Sequence, residues 1–155
     1  MANLSYEEQA FLTSNLEEII DRFDFVLIDT AAGIGDSVLW FNNWSQENIV
    51  ILTPDPTSLS DAYALMKVLH SRHGRTRFHL LINSVQSRKE GQEVFDNMSR
   101  VLERFLKISP LSLGVMPHDS SVAKAIRQQK PFLLGSPESK ASREIVSVAG
   151  RLMAL

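Results

Sequence analysis

Four bulky apolar residues, Phe25-Val26-Leu27-Ile28, run directly into Asp29-Thr30-Ala31-Ala32-Gly33-Ile34-Gly35-Asp36, and no other stretch constrains the fold so tightly. An apolar run that ends in a carboxylate, a hydroxyl and two glycines predicts a buried strand delivering polar groups to the carboxyl edge of a sheet. In open α/β sheets that edge is where ligands bind. A carboxylate there suits a Mg²⁺ site, held directly or through a metal-bound water, and Gly33 lets a backbone N–H approach a phosphate with no Cβ in the way. The same Asp29 also suits a plain structural role, capping the turn or helix that follows.

The rest of the chain repeats a strand, loop, helix pattern. Ser5-Tyr6-Glu7-Glu8 matches a capping box, and Leu12, Leu16, Ile19 and Phe23 recur at helical spacing, predicting a helix from about Tyr6 to Asp21. After Gly33 and Gly35, Asp36 or Ser37 is placed to cap a short helix carrying Val38, Leu39, Trp40, Phe41 and Trp44, whose tryptophans read as helix-on-sheet packing or as an exposed aromatic contact surface. Ile49 to Thr53 predicts a second strand, closed by Pro54-Asp55-Pro56-Thr57-Ser58. The next helix buries Ala62, Leu65, Met66 and Leu69 and stops at Gly74. Phe78 to Ile82 predicts the third strand, with Asn83 and a polar loop beyond it, and a long helix presents Val94, Met98, Val101, Leu102 and Phe105 on one face. Leu111 to Met116 predicts a fourth strand opening onto Pro117-His118-Asp119. A short helix around Val122 to Gln128 ends before Lys130-Pro131, and Ser136-Pro137 is placed to start a last helix with Ile145, Val148, Ala149 and Leu152 on its apolar side.

Strands separated by helical segments of this length imply βαβ crossovers and a parallel sheet covered on both faces, a three-layer α/β fold. Every strand then ends on one edge, which gathers Asp29, Thr30, Gly33, Asp55, Ser58, Asn83, Pro117, His118 and Asp119. No repeat, linker or low-complexity tract divides the 155 residues, so residues 1–155 read as a single domain. Cysteine is absent, which removes disulfides and thiolate chemistry and suits a reducing compartment. With no long apolar run and no leader-like start, the chain reads as soluble and cytoplasmic. A formal charge of −2 leaves no electrostatic footprint for nucleic acid. The basic run Lys67, His70, Arg72, His73, Arg75 and Arg77 reads as a solvated turn, with nucleic-acid contact as its alternative.

A phosphate cradle is missing from these residues. No G-x-x-x-x-G-K-[ST] occurs, and no Gly is followed by Lys. Without that loop's backbone N–H groups and lysine, several phosphate charges go uncompensated and Mg²⁺ loses a hydroxyl ligand. Unaided nucleotide hydrolysis is therefore not expected. Gly33-Ile34-Gly35 begins like a dinucleotide fingerprint but has no third glycine; Ser37 and His118 have no G-x-S-x-G elbow; His70 and His73 have no further ligands at metal-site spacing.

From Asp29 to Leu39 the chain resembles the Walker B and switch II region of MinD-like ATPases, in particular the FlhG/FleN branch that regulates flagellar number. Pro54 to Leu65, Leu80-Leu81-Ile82-Asn83, Gly114 to Asp119 and Arg127 to Phe132 resemble that branch too, in the same order. The resemblance implies a partial SRP/MinD-type P-loop NTPase fold, ATP and Mg²⁺ as the cofactors of intact relatives, ATP-dependent dimerisation, flagellar or polar-localisation partners, and peripheral contact with the inner membrane. By position it implies Asp29 at the Mg²⁺ site, Thr30 among the cofactor-binding residues, Gly33 at the terminal-phosphate switch, Asn83, Pro117, His118 and Asp119 around the adenine, and Asp55, Ser58 and Asp61 on a dimer or partner surface. These residues begin at the family's second half, so the phosphate loop, its signature lysine and switch I are not among them. The chain alone is expected to bind no cofactor and to lack independent catalysis. A non-catalytic interaction module and a small α/β enzyme are the competing readings.

One structural expectation follows from the resemblance. In the family the phosphate-loop strand lies beside the Walker B strand, so its absence exposes unpaired backbone on a strand apolar on both faces. Either the remaining strands close up or a second chain supplies the pairing, and a homodimer or swapped assembly is expected.

Overall fold

The computed structural model describes residues 6–155, apart from the side chains of Tyr6 and Glu18. Ser5 of the expected capping box lies outside the described residues. Seven helices and three strands are described: α1 (Tyr6–Ile20), α2 (Asp36–Trp44), β1 (Ile49–Leu52), α3 (Pro56–His73), β2 (His79–Val85), α4 (Arg88–Leu106), β3 (Leu111–Pro117), α5 (Ser120–Arg127), α6 (Phe132–Gly135) and α7 (Lys140–Leu152). The strands form one parallel sheet in the order β1-β2-β3, with Ile49 opposite His79 and His79 opposite Leu111.

Two apolar layers hold the sheet. Val50 and Leu52, Leu80 and Ile82 project to one face and pack with Leu39, Ala62, Met66, Leu69, Met98 and Leu102 from α2, α3 and α4. Leu81, Leu113 and Met116 project to the other face and pack with Ala141 and Val148 of α7. Opposite projection of successive residues is what lets one apolar run feed both layers. Closest approach comes at Gly91 of α4, where an added Cβ would meet Val115 Cγ1 at 2.3 Å. Only hydrogen at that position lets the helix lie so near β3.

The strand expected over Phe25 to Ile28 does not form. That segment runs extended after α1, and no backbone group from residue 24 to residue 34 pairs with another described residue. Phe25, Val26 and Leu27 are exposed, Leu27 at 80 %. The cause is the neighbour: a strand is held by hydrogen bonds to an adjacent strand, and none stands beside this one. Nor has the sheet closed up. The segment, the end of α1, the start of β1 and the C-terminal Leu152 and Leu155 together line a cavity of about 710 Å³.

Smaller departures have local causes. Gly35, not Asp36 or Ser37, occupies the cap of α2, and Asp36 sits in the first turn, where its charge complements the helix dipole. On α4 the inward face is Gly91, Met98 and Leu102 with Val94 and Phe95, whereas Val101 and Phe105 face outward and Arg104 stacks over the Phe105 ring at 5.4 Å. The last helix starts at Lys140, because Ser139 Oγ accepts the Ser142 N–H at 3.1 Å while the Ser142 hydroxyl donates back to the Ser136 carbonyl at 2.6 Å. Trp40 and Trp44 stack on each other at 5.9 Å, both half-buried on α2.

Candidate nucleotide-edge site

At the carboxyl ends of β2 and β3 the chain builds a tight polar corner. Asn83 leaves β2 with its side-chain oxygen accepting the Ser84 N–H at 2.9 Å, and Ser84 takes a left-handed φ of 61°. Val85 then bonds across, its carbonyl accepting the His118 N–H at 2.8 Å. This brings the Ser84 hydroxyl within 3.4 Å of His118 Nδ1. Asn83 and His118 are exposed, so an amide and an imidazole face solvent at adjoining strand ends.

Asp119 works inward. Its carboxylate accepts the Ser121 N–H at 2.9 Å and the Ala141 N–H at 3.1 Å, capping α5 and tying the corner to the start of α7. The Ser121 side chain, then the Ser121 and Ala141 N–H groups, favour the charged form and lower its pKa from 3.8 to about 2. Asp119 thereby fixes the loop that carries Pro117 and His118.

A second set of residues lies on the segment before α2. Asp29 is exposed on the unpaired segment, Thr30 is half-buried at the rim of the cavity, and Gly33 has a φ of +102° with open space around it. Thr30 lines the cavity that Ile49 also lines, whereas Pro117 lines a different cleft, between the start of α4 and α7. Beside β1, Thr53 donates its hydroxyl to Asp55 at 2.6 Å and its N–H to Ser58 Oγ at 3.0 Å, which shapes the turn into α3. Asp55 and Asp61 are exposed and Ser58 is half-buried.

Sequence reading missed a cleft beside the polar corner. It has a volume of about 600 Å³ and lies between the start of α4 and α7, lined by Ser87, Arg88, Pro117, Lys140, Arg143 and Glu144 among others, with Arg88 paired to Glu144. Lys140 and Arg143 belong to the last helix, of which the apolar spacing shows only the side with Ile145, Val148, Ala149 and Leu152. Four residues of spacing, Lys140 to Glu144, do place them on one face near the sheet edge, but which edge depends on where the helix starts.

Among the described residues no three or more His, Asp or Glu stand together as a metal-holding group. Asp29 with Thr30 offers one carboxylate and one hydroxyl. Mg²⁺ is commonly held by one or two carboxylates together with substrate phosphates and water, so this donor set fits one side of an Mg-nucleotide site.

Residues 1–153 match the family described as cellulose biosynthesis protein BcsQ. The chain belongs to this family. Within it, the chain sits with MinD-like proteins of the FlhG/FleN branch: it is 41% identical over 152 residues to the antiactivator FleN of Pseudomonas aeruginosa, covering 98% of this chain and 54% of FleN. It is 28% identical over 138 residues to the flagellum site-determining protein YlxH of Helicobacter pylori, covering 88% and 46% of the two chains. The fold is that of the septum site-determining protein MinD complexed with Mg-ADP from Pyrococcus horikoshii, at a TM-score of 0.70 and 18% identity over 96% of this chain and 60% of that one. The BcsQ-family chain thus spans about half the length of these curated relatives. Its partial P-loop NTPase fold agrees with the sheet order and the layers on either side.

Proposed function

We propose that this chain is the Walker B and base-side part of a MinD-type ATPase serving flagellar number or placement, and that it requires a phosphate loop from elsewhere to handle nucleotide. The observation that supports this reading is the division of the polar residues: Asp29, Thr30 and Gly33 lie on the unpaired segment before α2, Asn83 and Pro117 to Asp119 at the ends of β2 and β3, with Thr30 and Ile49 lining a cavity that none of the latter residues lines. No glycine cradle or lysine among the 155 residues neutralises a triphosphate between them.

In the completed site Asp29, with Thr30 beside it, holds the metal side. Bound Mg²⁺ would supply charge neutralisation across the phosphates. Gly33 presents backbone to the terminal phosphate, since its φ of +102° suits glycine and its surroundings are open. Asn83 has its oxygen occupied by Ser84, so its amide nitrogen is the group available to an acceptor on the base. Pro117 and His118 wall the base side, and Asp119 keeps their loop in shape without touching ligand. Asp55, Ser58 and Asp61 lie along the start of α3, which we assign to contact with a second copy or a polar-localisation partner in the cytoplasm or at the inner-membrane surface.

The test is a single-polypeptide chimera in which the part of P. aeruginosa FleN outside the matched region precedes this chain. The reading expects Mg-dependent binding of a fluorescent ATP analogue, lost on Asp29→Ala and weakened about tenfold or more on Asn83→Ala. A folded chimera with no nucleotide binding, or with binding indifferent to both substitutions, contradicts it.

A further inference from the structure

The cleft between the start of α4 and α7 carries a charge opposite to that of the chain. Overall the 155 residues hold 16 Lys and Arg against 18 Asp and Glu. Around the cleft the balance reverses: Arg88, Lys140 and Arg143 line it, and among the described residues Glu144 is the one carboxylate that does. Glu144 is paired with Arg88. The side chains of Lys140 and Arg143 make no hydrogen bond or ion pair with any described residue. Two neighbouring acids are engaged by backbone and do not line the cleft: Glu90 accepts the Gln86 N–H at 2.6 Å, and Asp119 accepts the Ser121 and Ala141 N–H groups.

The position of the cations supplies an independent observation. Arg88 is the first residue of α4, Lys140 the first of α7, and Arg143 lies in the first turn of α7. Helix N-termini are the positive ends of the dipole, where acidic side chains stabilise and basic ones do not. The first turn of α7 holds no acidic residue at all. Three cations thus sit where they disfavour their own helices, and an oxyanion between them offsets both the side-chain charge and the dipole. From the sheet side the cleft is apolar, lined by Val85, Val115 and Pro117, the last two half-buried on the end strand β3. Its volume of about 600 Å³ is in the range of clefts that take ligands.

We propose that this cleft docks an acidic segment of a partner protein, with an apolar side chain set against Val115 and Pro117 and carboxylates set against Lys140, Arg143 and Arg88. Charge complementarity and the apolar sheet side together choose this occupant. A guanidinium matches a carboxylate by two parallel N–H bonds, and the apolar residues ask for a side chain that a bare phosphate backbone does not carry. Glu144 then acts as a resident competitor, holding Arg88 until a partner carboxylate replaces it. Of the residues assigned above to the base side only Pro117 lines the cleft, so docking needs no nucleotide.

The experiment titrates the full chain into a fluorescein-labelled peptide of alternating Leu and Glu, at low salt and without nucleotide, and follows anisotropy. Saturable binding that weakens as salt is raised is expected. The double substitution Lys140→Glu and Arg143→Glu should weaken it about tenfold or more, and both positions are exposed, so a melting curve by circular dichroism should show the fold kept. Glu144→Gln should tighten binding, because it releases Arg88 and removes the one repelling carboxylate; an ion pair with a merely structural role would not move affinity in that direction. An all-Glu peptide leaves the apolar side bare and should bind about tenfold more weakly. No saturable binding, indifference to the charge reversal, weaker binding by Glu144→Gln, or an all-Glu peptide binding equally well would overturn the proposal. So would displacement of the peptide by a single-stranded oligonucleotide, or self-association of the chain that the same reversal abolishes. The assay contains no nucleotide and the chimera above contains no peptide, so failure of one reading is distinguishable from failure of the other.

Discussion

Single residues at the sheet edge set measurable properties of the whole. The carboxylate of Asp119 has a folded pKa of about 2 against 3.8 when free. A group depressed in this way contributes stability fully above its unfolded value, and that contribution disappears as pH falls through the folded value. Urea midpoints of the native chain and of Asp119→Asn should therefore differ at pH 7 and converge between pH 4 and 2 (roughly, from the linkage rule); an unchanging gap would show that the carboxylate's charge is not what stabilises the corner. Two glycines, one on α4 and one on α7, separate in the same assay. Gly91→Ala drives a Cβ to 2.3 Å from Val115 and should cost about 1–3 kcal/mol. Gly150→Ala meets nothing within 4 Å on α7 and should stabilise by about 0.5–1 kcal/mol. Asn48→Leu, which removes an amide lacking partners, should raise the midpoint of the chain alone. A lowered midpoint would mean the amide is satisfied in solution.

Elements were legible in the sequence to the degree that their stability is local. Helices α3 and α4 show in the apolar spacing of Ala62 to Leu69 and Val94 to Leu102, and β2 and β3 in continuous apolar runs, because each buries its pattern against a neighbour this chain supplies. Phe25 to Ile28 carries an equally strong strand pattern, yet pairing is a property of two segments and the pattern describes one. Val101 and Phe105 of α4 illustrate a second limit: helical spacing defines a stripe, and the width that the sheet covers is set by how closely Gly91 lets the helix approach. Of the site, Asn83, Pro117, His118 and Asp119 are brought together by the β2-β3 register, which the strand-end rule anticipates. The cleft beside them depended on α7 beginning at Ser139 and Lys140, a capping choice that Ser136-Pro137 obscured.

At the scale of the molecule, the described residues form three strands and seven helices, and the sheet ends at β1 without pairing the apolar segment Phe25–Ile28. Asp29 and Gly33 lie on the unpaired segment, Asn83 and Pro117 to Asp119 at the ends of β2 and β3, and no glycine cradle with its lysine occurs among the 155 residues to compensate triphosphate charge. Structural completion and nucleotide handling are thus one event in this account. The measurement that bears on it most directly is titration of a fluorescent ATP analogue with Mg²⁺ into the chain alone and into the chimera in which the unmatched part of FleN precedes it. The account expects no saturable binding by the chain alone, with Asp29→Ala silent there, and saturable, Asp29-dependent binding by the chimera; submicromolar binding by the chain alone (about 8 kcal/mol or more) would contradict it.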